Sequence, residues 1–143
     1  MKNSAKVMLV ALLATSSMSF AMTMNSISQD QVKQAFVNKT FTSIATAQLN
    51  GQSVENSFTG YMDDKGNTWG KFAHKPTDAA QTDQGTYVIK DNGLLCPTWQ
   101  HWMGGKQFCV DVYETNNSYV LISDTNVFHT VFMKNAMHTG KQL

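Results

Sequence analysis

The stretch GLLCPTWQHWMGGKQFCVDVY, Gly93–Tyr113, holds both cysteines of the chain, Cys96 and Cys109, two of its three tryptophans and one of its four histidines. Sulfur beside imidazole suits three chemistries: a metal centre, a redox pair or a disulfide. A structural zinc site favours a tight Cys-x-x-Cys pair, which the spacing of Cys96 and Cys109 lacks even with His101 between them. A redox dithiol also favours close spacing, next to a helix start. A disulfide asks only for an oxidising compartment and two strands in register, and it is the preferred reading.

A second group lies in HTVFMKNAMHTG, where His129, Met133, Met137 and His138 fall close together. Thioethers with imidazoles suit copper in an exported protein. However, Val127, His129, Val131 and Met133 alternate along one strand face, as an ordinary core histidine would, and that structural reading is preferred over a metal site. Trp69, Tyr87 and Trp99 read as core or barrel-lining rings. Trp102 falls at a hairpin tip beside His101 and Met103, either as an exposed contact for a partner or lipid headgroup, or folded back onto the end of the domain. The sequence contains no Gly-x-Ser-x-Gly elbow, no His-Glu-x-x-His pair and no phosphate-cradling glycine loop. Asp63, Asp64, Asp91 and Asp124 sit in turn-forming runs and read as turn residues. No catalytic residue and no cofactor is expected.

Compartment comes from the first residues. Lys2 and Lys6 precede an apolar run, Val7 to Ala14, and small residues lead to Ser19-Phe20-Ala21. This is the layout of a secretory signal peptide, residues 1–21, cut after Ala21. No later segment approaches the roughly 20 apolar residues of a spanning helix. The remaining 22–143 is the length of one domain. Without Lys2 and Lys6 nine lysines face ten acids, and the chain has no arginine, which argues against nucleic acid or phosphate handling as its business. Export to the periplasm or the medium is the expectation.

The elements that must position these residues follow from patterning. Ser28-Gln29-Asp30-Gln31 is a capping box, and Val32, Ala35 and Phe36 follow at helical spacing, predicting one short helix over 29–37. From Thr40 on, short β-prone runs alternate with turn signals such as Asn50-Gly51, Asp63–Asn67 and Asp91-Asn92-Gly93. Eight strands are predicted, at 40–49, 53–62, 68–73, 84–90, 94–99, 107–113, 118–123 and 127–133. Hairpin-length turns make them an antiparallel meander, and eight consecutive strands can close into a barrel, with a two-sheet β-sandwich as the alternative. The polar tail, Lys134–Leu143, is expected to be loosely ordered.

Placing Cys96 opposite Cys109 gives a register with a consequence. It pairs 97 with 108, 98 with 107 and 99 with 106, with the turn at 101–104. One face then carries Leu95, Trp99, Phe108, Val110 and Val112, and the other Cys96, Thr98, Cys109, Asp111 and Tyr113. The first set is wholly apolar, so the register agrees with a core independently of the sulfurs.

Gly66-x-x-Trp69, Gly85-x-Tyr87-x-Ile89, Asp91-x-Gly93-x-x-Cys96-x-x-Trp99 and Cys109-x-x-x-Tyr113 followed by Tyr119 give Asn38–Phe132 a resemblance to small exported bacterial domains of unknown function built like lipocalins, as calycin-type barrels. The resemblance implies an all-β barrel behind one short helix, and a disulfide. It supplies no catalytic residues, and it gives no counterpart for the loop from His74 to Asp83 or for the Met- and His-rich end. The expected function is a non-enzymatic binding protein taking a small amphipathic ligand in the barrel or at a rim formed by His101, Trp102, Met103, Trp69 and Tyr87. The alternatives are a secreted interaction or virulence-type factor, with a protein or envelope partner, acting through its surface, and a copper-handling protein.

Overall fold

The computed structural model describes residues 25–44, 57–73, 80–123 and 129–143. The expected signal peptide, the Asn50-Gly51 and Asp124–Asn126 turns and most of the loop from His74 lie outside them. The chain forms α1 (Gln29–Phe36), β1 (Lys39–Thr42), β2 (Phe58–Met62), β3 (Asn67–Phe72), β4 (Thr82–Ile89), β5 (Leu95–Trp99), β6 (Val110–Glu114), β7 (Ser118–Ser123), β8 (His129–Met133) and β9 (His138–Thr139). The strands make one antiparallel sheet in the order β8-β7-β6-β5-β4-β3-β2-β1-β9, curled like a barrel. It is all-β with one short helix, and a single continuous sheet rather than a two-sheet sandwich.

Each predicted strand has its counterpart, and the meander curls far enough for its ends to meet. Ser43, just past β1, bridges Phe132 of β8, and Ile44 N–H donates to the Val131 carbonyl at 3.0 Å. Closure there removes main-chain groups that an open edge would leave unpaired. At its other end β1 takes β9. Lys39 and Thr40 pair with Thr139 and His138, Thr40 Oγ1 donates to the Gly140 carbonyl, and Gln142 N–H donates to Thr40 Oγ1. The tail is therefore not loosely ordered. Its polarity is that of a short strand using main-chain bonds to cover the part of β1 that β8 does not reach. Among the described residues no helix is long and apolar enough to cross a membrane.

Helix α1 starts as predicted. Gln31 N–H donates to Ser28 Oγ, and Ser28 N–H donates to Gln31 Oε1 at 2.9 Å, satisfying two donors that the first turn leaves open. Val32, Ala35 and Phe36 face inward, and the Phe36 ring meets Phe41 of β1, Tyr119 of β7 and Phe132 of β8 at 5.1, 5.4 and 6.0 Å. A helix in contact with strands from both ends of the meander plugs the sheet from one side.

Among the described residues, aromatic rings pack through the rest of the interior. Phe58 sits 6.0 Å from Trp99, 6.2 Å from Trp102 and 6.4 Å from both Phe41 and Phe132, most of these pairs edge to face. Two glycines opposite one another, Gly60 on β2 and Gly70 on β3, make room for them. A Cβ on Gly70 would lie 2.5 Å from Trp102 Cζ3 and 2.8 Å from Trp99 Cη2, and one on Gly60 would meet Phe41 at 2.5 Å. The sheet floor is thus flat where the largest side chains lie against it.

Candidate functional site

The β5–β6 hairpin takes the register that the cysteines implied. Leu95 pairs with Val110, Thr98 bridges Gln107, and Cys96 is disulfide-bonded to Cys109 with Cα atoms 4.1 Å apart. Leu95, Trp99, Val110 and Val112 are buried, and Phe108 packs against them. Regular pairing is thinner than predicted, and β6 begins at Val110 rather than Gln107. Pro97 has no N–H to donate and contributes only its carbonyl, to Phe108 N–H at 3.3 Å.

At the tip, Trp102–Gly105 form a tight, kinked turn in which Met103, Gly104 and Gly105 take φ 57, 66 and 69°. Three successive left-handed residues reverse the chain, and two of them being glycine keeps the cost low. Trp102 takes the folded-back position, 7 % exposed, with its ring 4.9 Å from both Phe72 and Trp99 and its Nε1–H donating to the Ala80 carbonyl at 2.8 Å. Met103 also packs against the core. Neither residue forms an exposed contact tip.

A buried acid at the end of the loop from His74, Asp83, organises this turn. Asp83 lies in β4, with a side chain 1 % exposed. Its Oδ2 accepts from His101 N–H at 2.9 Å and Trp102 N–H at 2.8 Å, and its Oδ1 accepts from Gln84 N–H at 2.9 Å and meets His101 Nδ1 at 3.0 Å. Burial alone would raise its pKa, but these hydrogen bonds outweigh it and hold the carboxyl below the ordinary 3.8. An ionised carboxylate only accepts, so His101 Nδ1 carries the hydrogen of this bond and Nε2 is left for other partners. The imidazole is 73 % exposed.

His101 opens onto a groove of about 560 Å³ that runs over the outer side of β3 and the start of β4. Trp69, Lys71, Gln84, Gln100, His101 and Lys141 line it, with Asp83 at its inner edge. Trp69 and Lys71 point outward because they alternate with Thr68 and Gly70, both buried. The tail then sets Lys141 Nζ 3.7 Å above the Trp69 ring, whose neighbour on β2 is Tyr61 at 5.7 Å. The groove therefore combines an indole, two ammonium groups, two amides and an oriented imidazole.

Of the residues expected at one rim, the structure brings together Trp69 and His101, and seats Trp102 and Met103 beneath them. Tyr87 is elsewhere. It lies four residues beyond Asp83 on β4, about 13 Å along a strand, and its hydroxyl donates to the Asp63 carbonyl in the β2–β3 turn. Burial first, then the charges of Asp63 and Asp64, push its pKa up to about 12, so the phenol stays a donor. Asp63 itself is a turn former, accepting from Lys65 N–H and Asn67 N–H at 2.9 and 2.8 Å.

The copper candidates are spread over two strands and the turn between them. His129 and Met133 are the first and last residues of β8, again about 13 Å apart. Met137 packs on the core, and His138 is exposed in β9. Among the described residues no three His, Cys, Asp or Glu side chains converge on a metal position. Asp83 and the groove escaped the sequence because nothing local marks them. Pairing of β3 with β4 and the turn after β5 bring positions 69, 83 and 101 together. No family model, no curated protein and no solved structure matches the chain.

Proposed function

We propose that this chain is an exported, disulfide-stapled binding protein of the lipocalin-like kind that engages its ligand on the outer groove rather than inside the barrel. One observation carries the reading. The interior is occupied by Phe36, Phe41, Phe58, Trp99, Trp102 and Phe132 in ring-to-ring contact, while the groove outside has the volume of a small-molecule site and the mixture of one aromatic surface with a few convergent polar groups that such sites use. Export is supported by the layout of residues 1–21 and by the disulfide, which an oxidising compartment maintains. A macromolecular partner docking on the same groove is the second form of this reading, favoured by the groove's openness on a sheet face. The copper reading loses its support with His129 and Met133 at opposite ends of one strand.

A fragment screen followed by ¹H–¹⁵N correlation spectra on the oxidised protein tests the location. Shifts should gather at the Trp69 indole, the Gln84 and Gln100 amides and His101. Shifts centred on the inward residues Leu121, Phe132 and Val112 would place the ligand in the barrel and overturn the reading. The intact mass of protein recovered from the periplasm or medium should correspond to a chain starting at Met22 and lacking two hydrogens.

A further inference from the structure

Two lysines, one aspartate and Leu143 are among the residues that border the groove. Lys71 and Lys141 are both exposed cations lining it. The negative charge of Asp83 is turned inward, with its side chain 1 % exposed and both oxygens occupied by N–H donors from Gln84, His101 and Trp102. Buried and with both oxygens taken by N–H donors, that carboxylate at the inner edge of the groove is engaged within the protein rather than offered to a ligand cation. Charge complementarity therefore selects an anion.

The other polar groups say what else the anion must carry. His101 Nδ1 is held by Asp83, which leaves Nε2 as the ring nitrogen open to a ligand hydroxyl. Gln84 Nε2 reaches Gln100 Oε1 at 3.4 Å, near the outer limit of a hydrogen bond, and this leaves the Gln84 carbonyl oxygen and the Gln100 amide donors for other partners. Cations beside acceptors do not suit a bare inorganic anion, which fills the cations and offers the acceptors little. They suit a molecule with an anionic group at one end and hydroxyl donors along the rest, lying beside the indole of Trp69, whose ring is already polarised by Lys141 3.7 Å above it.

We propose that the groove recognises a hydroxylated anion, a sugar acid or a sugar phosphate, with Lys71 and Lys141 holding the anionic group and Gln84, Gln100 and His101 the hydroxyls. This assignment rests on the groove being the binding site and adds to it the class of ligand.

The test titrates the full disulfide-bonded mature chain with four probes, sodium glucuronate, glucose 6-phosphate, glucose and inorganic phosphate, following the Trp69 indole and the Gln84 and Gln100 side-chain amides by ¹H–¹⁵N spectra. Glucuronate or glucose 6-phosphate should give saturable shifts there, with glucose and inorganic phosphate at least about tenfold weaker, a difference of about 1.4 kcal/mol. Which of the two sugar anions binds better identifies carboxylate or phosphate as the source of the charge. Lys71→Gln should weaken that binding about tenfold while leaving the thermal midpoint where it was. Lys141→Gln should weaken that binding as well, whatever it does to the thermal midpoint. Equal binding of glucose and the sugar anions, or no effect of Lys71→Gln, overturns the anion assignment. Inorganic phosphate binding as well as glucose 6-phosphate overturns the hydroxyl half. Silence from all four probes, with fragments still gathering in the groove, refutes this inference and leaves the groove reading standing. Fragments gathering elsewhere refute both.

Discussion

Asp83 shows how one side chain can hold a turn and aim a neighbour at once. Its two oxygens take the N–H groups that start the β5–β6 turn and the Nδ1 of His101, all at 2.8 to 3.0 Å. Hydrogen bonds to a charged acceptor are worth about 1.5 to 3 kcal/mol, and those donors would be stranded without it. Asp83→Asn keeps one acceptor oxygen and turns an amide toward N–H donors, so it should cost about 2 kcal/mol at pH 7 by urea denaturation. The pH dependence has a definite sign. A carboxyl whose folded pKa lies below its ordinary 3.8 stabilises the fold fully above that value and stops doing so as the pH falls through the folded one. The stability gap between the parent protein and Asp83→Asn should therefore be wide from pH 7 to about 5 and narrow progressively below about 4. A gap that is constant down to pH 3 would remove the buried charge from the account.

Among the elements, β3 is the one that separates interior from groove. Its residues alternate faces, sending Thr68, Gly70 and Phe72 toward the rings, and Trp69 and Lys71 toward the groove. Strand propensity alone says that valine should improve position 70. Packing says otherwise, because a Cβ there meets Trp102, Phe58 and Trp99 at 2.5 to 2.8 Å. Overpacking a filled core costs about 1 to 3 kcal/mol. Gly70→Val should lower the thermal midpoint and weaken the near-ultraviolet dichroism of the buried tryptophans. A midpoint at or above that of the parent would mean that the rings have free space to move into, which would reopen the interior as a ligand site.

At the scale of the whole molecule, the meander is held by closure at Ser43 and Phe132, by the plug of α1 and by the Cys96–Cys109 staple. The first two act through buried apolar surface and the sheet ladder. The staple acts through the unfolded chain, whose entropy it reduces by closing a loop of about 14 residues, for about 3 kcal/mol. Replacing both cysteines by alanine should thus lower stability by about that amount while leaving the dispersed spectrum and the groove shifts of the native protein. The inward set Leu95, Trp99, Val110 and Val112 already specifies the β5–β6 register. Collapse of the dispersed spectrum in the double variant would show that the register depends on the bond.

The local pattern by itself determined the helix with its capping box, the eight meander strands, the turn at Asp63–Asn67 and the register of the cysteine hairpin. Each of these depends on residues within one or two strands of each other, and a period of two, a cap or a turn dipeptide records them directly. Only the tertiary structure decided that the short polar tail is a ninth strand, that Trp102 is core, that Tyr87 lies away from His101, and that Asp83 holds His101 over the groove. The reason is the same in each case. A partner 18 to 100 residues away supplies the hydrogen bond or the ring, and which residues meet at that distance depends on how far the sheet curls, which no short stretch of sequence specifies.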